Sequence, residues 1–169
     1  SDGTKLLPNG TKNNLSLIAA PANRRGGSAG SGTQVNLLAN GKVFIVGTEF
    51  ANIGRSTPEL YDAVANTYTV TPVTKQIRNR TPSSTTLLNG KVLVTGGSTT
   101  SAIASTAELY DPVLNTLTAT VNMLRSRNRH ATTIMNNGKV LVTGSSIAGV
   151  GQTQAEIYDP ITNTFASAA

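Results

Sequence analysis

Three stretches of this 169-residue chain place two carboxylates and a phenol within four residues: Glu59-Leu60-Tyr61-Asp62, Glu108-Leu109-Tyr110-Asp111 and Glu156-Ile157-Tyr158-Asp159. Paired carboxylates can share acid and base work when burial or a neighbouring charge drives their pKa values apart. A second set is cationic: Arg24 and Arg25, then Arg78 and Arg80, then Arg125, Arg127 and Arg129. The planar guanidinium fork suits carboxylates and other oxyanions. Gly26 to Gly30 reads Gly-x-Ser-x-Gly around Ser28, and His130 is the one histidine.

Position argues against catalysis. Tyr61, Tyr110 and Tyr158 stand 49 and 48 residues apart, and an active site is not normally copied at each period of a repeat. A structural reading accounts for each residue type. The tyrosines supply large buried bodies whose hydroxyls need a partner. Asp62, Asp111 and Asp159 start turns by accepting amides two residues on. The glutamates are available to pair with the arginines. A nucleophilic Gly-x-Ser-x-Gly needs a strand before it and a helix after it, whereas Ser28 lies in a glycine-rich connection. His130 has too few companions for a triad or a metal cluster, and a packed, hydrogen-bonded histidine is expected. With no cysteine in the chain, disulfides, zinc–thiolate sites and thiol nucleophiles are excluded. No catalytic residue, metal ligand or cofactor is expected.

The elements that carry these residues repeat as well. Gly41, Gly90 and Gly138 mark "NGKV" at intervals of 49 and 48, and two markers with one period of 40–50 residues indicate propeller blades. In "TTLLNGKVLVTGG" (85–97) an Asn-Gly pair separates two runs of β-formers, a hairpin signal in which both turn residues tolerate positive φ. The run "KVLVTG" does not alternate, so both of its faces are expected to be buried. A variable loop follows, then "STAELYDP", a proline turn and a short fourth strand, "NTLTAT". No helical periodicity is present. Charged residues are only 13% of the chain and hydrophobic ones 38%, which fits a β-rich globular protein.

"NGKVLVTGG", "AELYDPVLNTLT" and "RSRNRHATTIMNNGKV" together resemble the kelch repeat, over roughly 33–169. Tyr68, Leu117 and Phe165 stand where many kelch repeats have tryptophan, and the glycine pair is intact only at Gly96–Gly97. The resemblance implies an all-β chain of about three and a half four-stranded propeller blades, a partial propeller or a section of a larger one. The expected boundaries are 1–20 as outer strands of a preceding blade, 21–32 as connection, and blades at 33–72, 73–121 and 122–169. Galactose oxidase-like proteins share such repeats, but their copper-radical chemistry needs a cysteine and several histidines. This chain has neither.

The arginines admit two readings. They pair with Glu108, Glu156 and their equivalents between blades, or they form a basic rim for a partner or an acidic polysaccharide. The net charge of +6 fits the second only where local pairing leaves it uncancelled. Nucleic acid is disfavoured, since six of the seven aromatics sit at repeat positions and only Phe50 is left for base stacking. No apolar run reaches the ~20 residues of a spanning helix. The chain opens on Ser1, so a processed mature chain or a piece of a longer one is expected. The function expected is a non-enzymatic extracellular or cell-surface structural and protein-interaction module, contacting partners through loops 48–57, 98–105 and 145–154 or associating with itself to complete the propeller. An acidic-glycan-binding propeller and a section of a larger propeller enzyme are the alternatives.

Overall fold

The computed structural model describes residues 32–47, 57–72, 81–98, 102–147, 150–151 and 153–168, with two short pairs at 5–6 and 12–13. β1 (Lys5–Leu6) and β2 (Lys12–Asn13) pair antiparallel. Three four-stranded antiparallel sheets follow. The first holds β3 (Gln34–Leu37), β4 (Val43–Val46), β5 (Glu59–Asp62) and β6 (Thr67–Val70) in chain order. The second holds β7 (Ser83–Thr86), β8 (Val92–Thr95), β9 (Ala107–Asp111) and β10 (Thr116–Ala119). In the third, β11 (Ala131–Ile134) and β12 (Val140–Thr143) are followed by a small hairpin, β13 (Ser146–Ile147) and β14 (Val150–Gly151). β15 (Glu156–Asp159) and β16 (Thr164–Ser167) then complete the sheet. No helix occurs among the described residues.

β3 lies against β7, and β7 against β11, so the first strand of each sheet is innermost. The inner strands are rich in Ser, Thr and Asn, and they meet through hydroxyls and amides. Asn36 donates to Ser84 Oγ (2.5 Å) and Thr85 to Thr132 Oγ1 (2.6 Å).

β8, the second strand of the middle sheet, is apolar on both sides because both of its faces are covered, whereas β12 leaves Leu141 half-buried and Thr143 exposed. Val92 and Val94 pack with Phe44, Val46 and Tyr110 in a core between the first two sheets. Leu93, one residue out of phase, packs with Val140, Val142 and Tyr158 between the second and third. All four β8 residues are buried, as the lack of alternation in "KVLVTG" predicts.

The Asn-Gly turns differ from a two-residue hairpin in which both residues take positive φ. Gly41, Gly90 and Gly138 do so, at 79°, 80° and 78°, and the asparagines do not. Gly90 N donates to Leu87 O and Leu87 N to Lys91 O, the pattern of a type I turn closed by a left-handed glycine. The asparagine acts through its side chain: Asn89 Oδ1 accepts from Lys91 N at 3.1 Å, and Asn40 and Asn137 do the same.

Candidate functional site

Each of the three triplets builds the same local structure. Asp111 Oδ1 accepts the amides of Val113 (2.9 Å) and Leu114 (3.1 Å), and Asp62 and Asp159 repeat this at their own turns. The turn ends on a left-handed asparagine, Asn66, Asn115 or Asn163. The Oδ1 of that asparagine accepts the tyrosine hydroxyl at 3.2, 3.1 and 3.1 Å respectively. Tyr110 and Tyr158 are fully buried, with Phe44 stacked on Tyr110 at 4.3 Å between centroids. Tyr61 and Tyr158 also meet their cross-strand partners, Tyr68 at 4.8 Å and Phe165 at 4.9 Å.

The second carboxylate oxygen of each aspartate meets a lysine missing from the candidate set. Lys42, Lys91 and Lys139 bind Asp62, Asp111 and Asp159 at 3.2, 3.1 and 3.0 Å. The signal was present in the sequence: each "NGKV" lysine precedes its aspartate by 20 residues, and the β4–β5 type of pairing sets them side by side. All three aspartates are held below the ordinary value of 3.8. The amide of Ala65 leads for Asp62 and that of Leu114 for Asp111, each followed by the lysine; for Asp159, Lys139 leads. These carboxylates stay ionised, as turn anchors should. Tyr110 is pushed above 10.0, first by burial and then by Asp111.

The arginines separate sharply. Arg125 and Arg129 are exposed, while Arg127 is 0% exposed and the largest fully buried side chain. As a contact for any partner Arg127 is therefore corrected: its guanidinium is spent inside the protein. Nε donates to Glu156 Oε1 (3.0 Å), one terminal nitrogen to Gly144 O (2.6 Å) and the other to Gln154 O (2.5 Å). Glu156 Oε2 accepts Leu124 N at 2.6 Å. The ion pair expected between blades lies within the unit 122–169. It is the backbone of Arg127 that reaches the preceding sheet, with its N donating to Ala104 O and its O accepting from Gly97 N. The buried cation thus ties the connection to its own unit, and the Arg127 backbone ties it to the preceding one. Arg24, Arg25, Arg78, Arg80 and Ser28 lie outside the described residues.

His130 is buried, with Nε2 2.8 Å from Thr95 Oγ1. Gly96 accommodates it: a Cβ there would stand 2.7 Å from His130 Cε1 and against Arg127 O. Two crevices of about 310 and 210 Å³ open between neighbouring sheets at equivalent turns. Pro112, Val113, Lys91 and Asp111 line the first, and Pro160, Ile161, Lys139 and Asp159 the second. Val64, Val113 and Ile161, at matching turn positions, are 99%, 90% and 92% exposed.

No protein-family model matches the sequence, and no curated protein matches it. Among solved structures, the chain is similar to a novel fungal alcohol oxidase of the AA5 family, in complex with copper. The TM-score is 0.64 at 22% identity, covering 79% of this chain and 29% of that one. The chain therefore spans less than a third of that enzyme's length. The likeness establishes the fold: three blades of a kelch-type propeller. It does not bring the copper site with it. This chain has no cysteine and a single histidine, whose Nε2 is engaged by Thr95. No group of three potential ligands occurs among the described residues. The residues present do not fit such a centre.

Proposed function

We propose that the chain is a non-enzymatic structural and protein-interaction module of an extracellular or cell-surface protein, built from kelch-type blades. The observation that supports this reading is the fate of the triplets. Their aspartates, phenols and partner lysines recur at each period and are consumed in turns and ion pairs, and in the third unit Glu156 is consumed in the buried clamp with Arg127. What remains for contact is the variable loops, where blades of one scaffold differ. The loop at 98–105 is closed by a bridge between Ser98 and Ile103, and that at 145–154 carries the β13–β14 hairpin.

The test presents the full chain to native cell-surface and secreted proteins beside a variant with 98–105 replaced by Gly and Ser. A partner held by the parent and lost by a variant of unchanged unfolding midpoint supports the reading. Substrate turnover by the purified chain, or an absence of any loop-dependent partner, overturns it.

One observation favours a second reading, an acidic glycan as partner. Arg125 and Arg129 are exposed, and neither forms an ion pair among the described residues. Salt-sensitive retention on sulfated or uronate glycans, lost in Arg125→Ala/Arg129→Ala, would select it. A section of a larger propeller enzyme is the third reading, favoured by the 29% coverage of the oxidase; the full-length gene decides it.

A further inference from the structure

One face of the protein is built from tight turns. The Lys91–Asp111 pair and its two equivalents set the β7–β8 type of turn beside the β9–β10 type in each sheet. The connections β4–β5, β6–β7, β8–β9 and β10–β11 leave from the opposite ends of the strands. Each aspartate turn takes only a backbone amide from the residue two positions on: Val64, Val113 and Ile161 donate to Asp62, Asp111 and Asp159. Nothing in the turn requires a particular side chain there, yet all three are β-branched aliphatics and almost wholly exposed. On the middle blade Leu88 and Leu114 add leucines that are 78% and 69% exposed. Single exposed apolar residues are ordinary, whereas a group of them rimmed by polar side chains marks a contact site.

The two crevices lie among these turns, one between the first and second sheets and one between the second and third, and Asn89 lines both. Their sizes differ for a reason. The residue before the turn asparagine is Ala39 at the first and Leu88 at the second. Leu88 lies over Gly138, with Cδ1 3.0 Å from where a Cβ on that glycine would stand. The first crevice accordingly holds about 310 Å³ and the second about 210 Å³. Each is lined by aliphatic side chains and a proline, beside a lysine whose charge its aspartate cancels. Asn40 and Asn89 give the first crevice a polar edge. Their Oδ1 atoms accept the amides of Lys42 and Lys91. That leaves the Nδ2 donors of two exposed side chains without an acceptor among the described residues.

We propose that this face docks an extended, uncharged segment of a partner protein, with a large apolar side chain in the crevice beside Ala39 and a smaller one in the crevice beside Leu88. The shape of the face favours that occupant: two adjoining crevices at the small end of ligand sites each suit a side chain, whereas a bilayer needs only a continuous apolar surface. The charge favours it too. The lysines nearest the crevices are paired, so an anionic lipid or an acidic glycan gains no free cation there. The free Nδ2 donors match peptide carbonyls, which an acyl chain lacks. The proposal rests on the reading of the chain as an interaction module and adds a surface on the side opposite the variable loops.

The probe is a phage-displayed library of random peptides selected on the full chain, followed by synthetic peptides of the enriched sequences in fluorescence anisotropy. Enriched sequences should carry two apolar residues of unequal size and no net charge. Ala39→Leu copies the second crevice into the first; positions 39 and 88 are both exposed, so the fold tolerates the change, and the unfolding midpoint verifies it. Parent-selected peptides should bind that variant about tenfold or more weakly, and selection on it should replace the large residue by a small one. Leu88→Ala should favour a larger residue at the other position, and Val113→Asp should weaken every selected peptide. Replacing 98–105 by Gly and Ser should leave peptide affinity unchanged. No enriched peptide, or affinities unmoved by Ala39→Leu and Val113→Asp, would overturn the proposal. Peptide binding lost only with 98–105 would overturn it while leaving the interaction-module reading standing. Val113-dependent binding to phosphatidylcholine vesicles in place of peptides would give the face to a lipid surface and overturn it as well. The module reading fails on a different result, the absence of any loop-dependent partner.

Discussion

Replacing Arg127 by methionine keeps the buried stem and removes the three donors that reach Glu156, Gly144 and Gln154. The main loss is at Glu156. Its side chain is 2% exposed, and the Leu124 amide, its other donor, does not neutralise a charge. Stranding one member of a buried ion pair costs about 3–5 kcal/mol. The two carbonyls add less, because Gln154 is exposed and water can replace its donor. The expectation is about 4 kcal/mol, a large share of the 5–15 kcal/mol typical of a domain. Arg127→Lys keeps the charge but cannot reach three acceptors at once, and about 2 kcal/mol is expected. Urea unfolding, read by far-ultraviolet circular dichroism with midpoint and slope fitted together, gives the values. Arg127→Met/Glu156→Gln should cost less than the sum of its single substitutions, with a coupling of about 2 kcal/mol. If Arg127→Met fell within about 0.5 kcal/mol of the parent, or the double variant were additive, the clamp would be ornament and the argument wrong.

Tyr110→Ala should destabilise by about 3 kcal/mol, the usual cost of emptying a buried aromatic site. Tyr110→Phe should cost about 1 kcal/mol, for the bond to Asn115; an unchanged urea midpoint in the alanine variant would contradict the packing. Gly96→Ala forces a Cβ against Arg127 O and His130 Cε1 at a φ of 56°. Roughly 3 kcal/mol is expected there, against about 1 kcal/mol for Gly144→Ala, where nothing lies within 4 Å; equal thermal shifts would refute the steric reading. Asp62, Asp111 and Asp159 are lowered in the folded chain. Their stabilisation is therefore present above pH 3.8 and lost as pH falls through the lowered values. Lys91→Met should flatten that acid limb of a stability–pH curve, and an unaltered limb would count against the ion pairs. Tyr110 is raised, so its contribution is full below pH 10.0 and declines above it as the unfolded phenol ionises. A stability curve flat from pH 9 to 11, measured beside Tyr110→Phe, would speak against this.

The blades were legible because three independent signals share one period: the glycine of the hairpin, the tyrosine, and the apolar run without alternation. Any one alone would have left helix and strand open, whereas β8 buried on both sides is what an uninterrupted "VLV" between two neighbours requires. The turn conformation was less legible. Asn-Gly permits two geometries, and the choice was made by hydrogen bonds that no dipeptide reveals: Leu87 N to Lys91 O, and Lys91 N to Asn89 Oδ1. The Lys–Asp pairs were readable in principle, since Lys91 and Asp111 fall side by side once the β8–β9 register is known. Register is a tertiary fact, and the lysine in "NGKV" looks like hairpin solubility until it is applied.

The arginines show where periodicity stops informing. Arg125, Arg127 and Arg129 alternate as residues of a strand would, which suggests one face for all three. Yet they lie in an irregular connection, where Arg129 takes a left-handed φ of 50° and its amide turns to Thr81 O. Backbone bonds to Ala104 and Gly97 aim only Arg127 inward. Its neighbours two residues away are left in solvent. The consequence for charge is specific. Lys42, Lys91, Lys139 and Arg127 are each cancelled by a carboxylate. Uncancelled charge on the third blade's connection is therefore confined to Arg125 and Arg129, flanking the buried Arg127, whose backbone joins the connection to the preceding unit. An anionic partner seated there would contact the connection at its anchored point, so binding would report on blade packing. Arg127→Met should then weaken that binding without touching either exposed arginine.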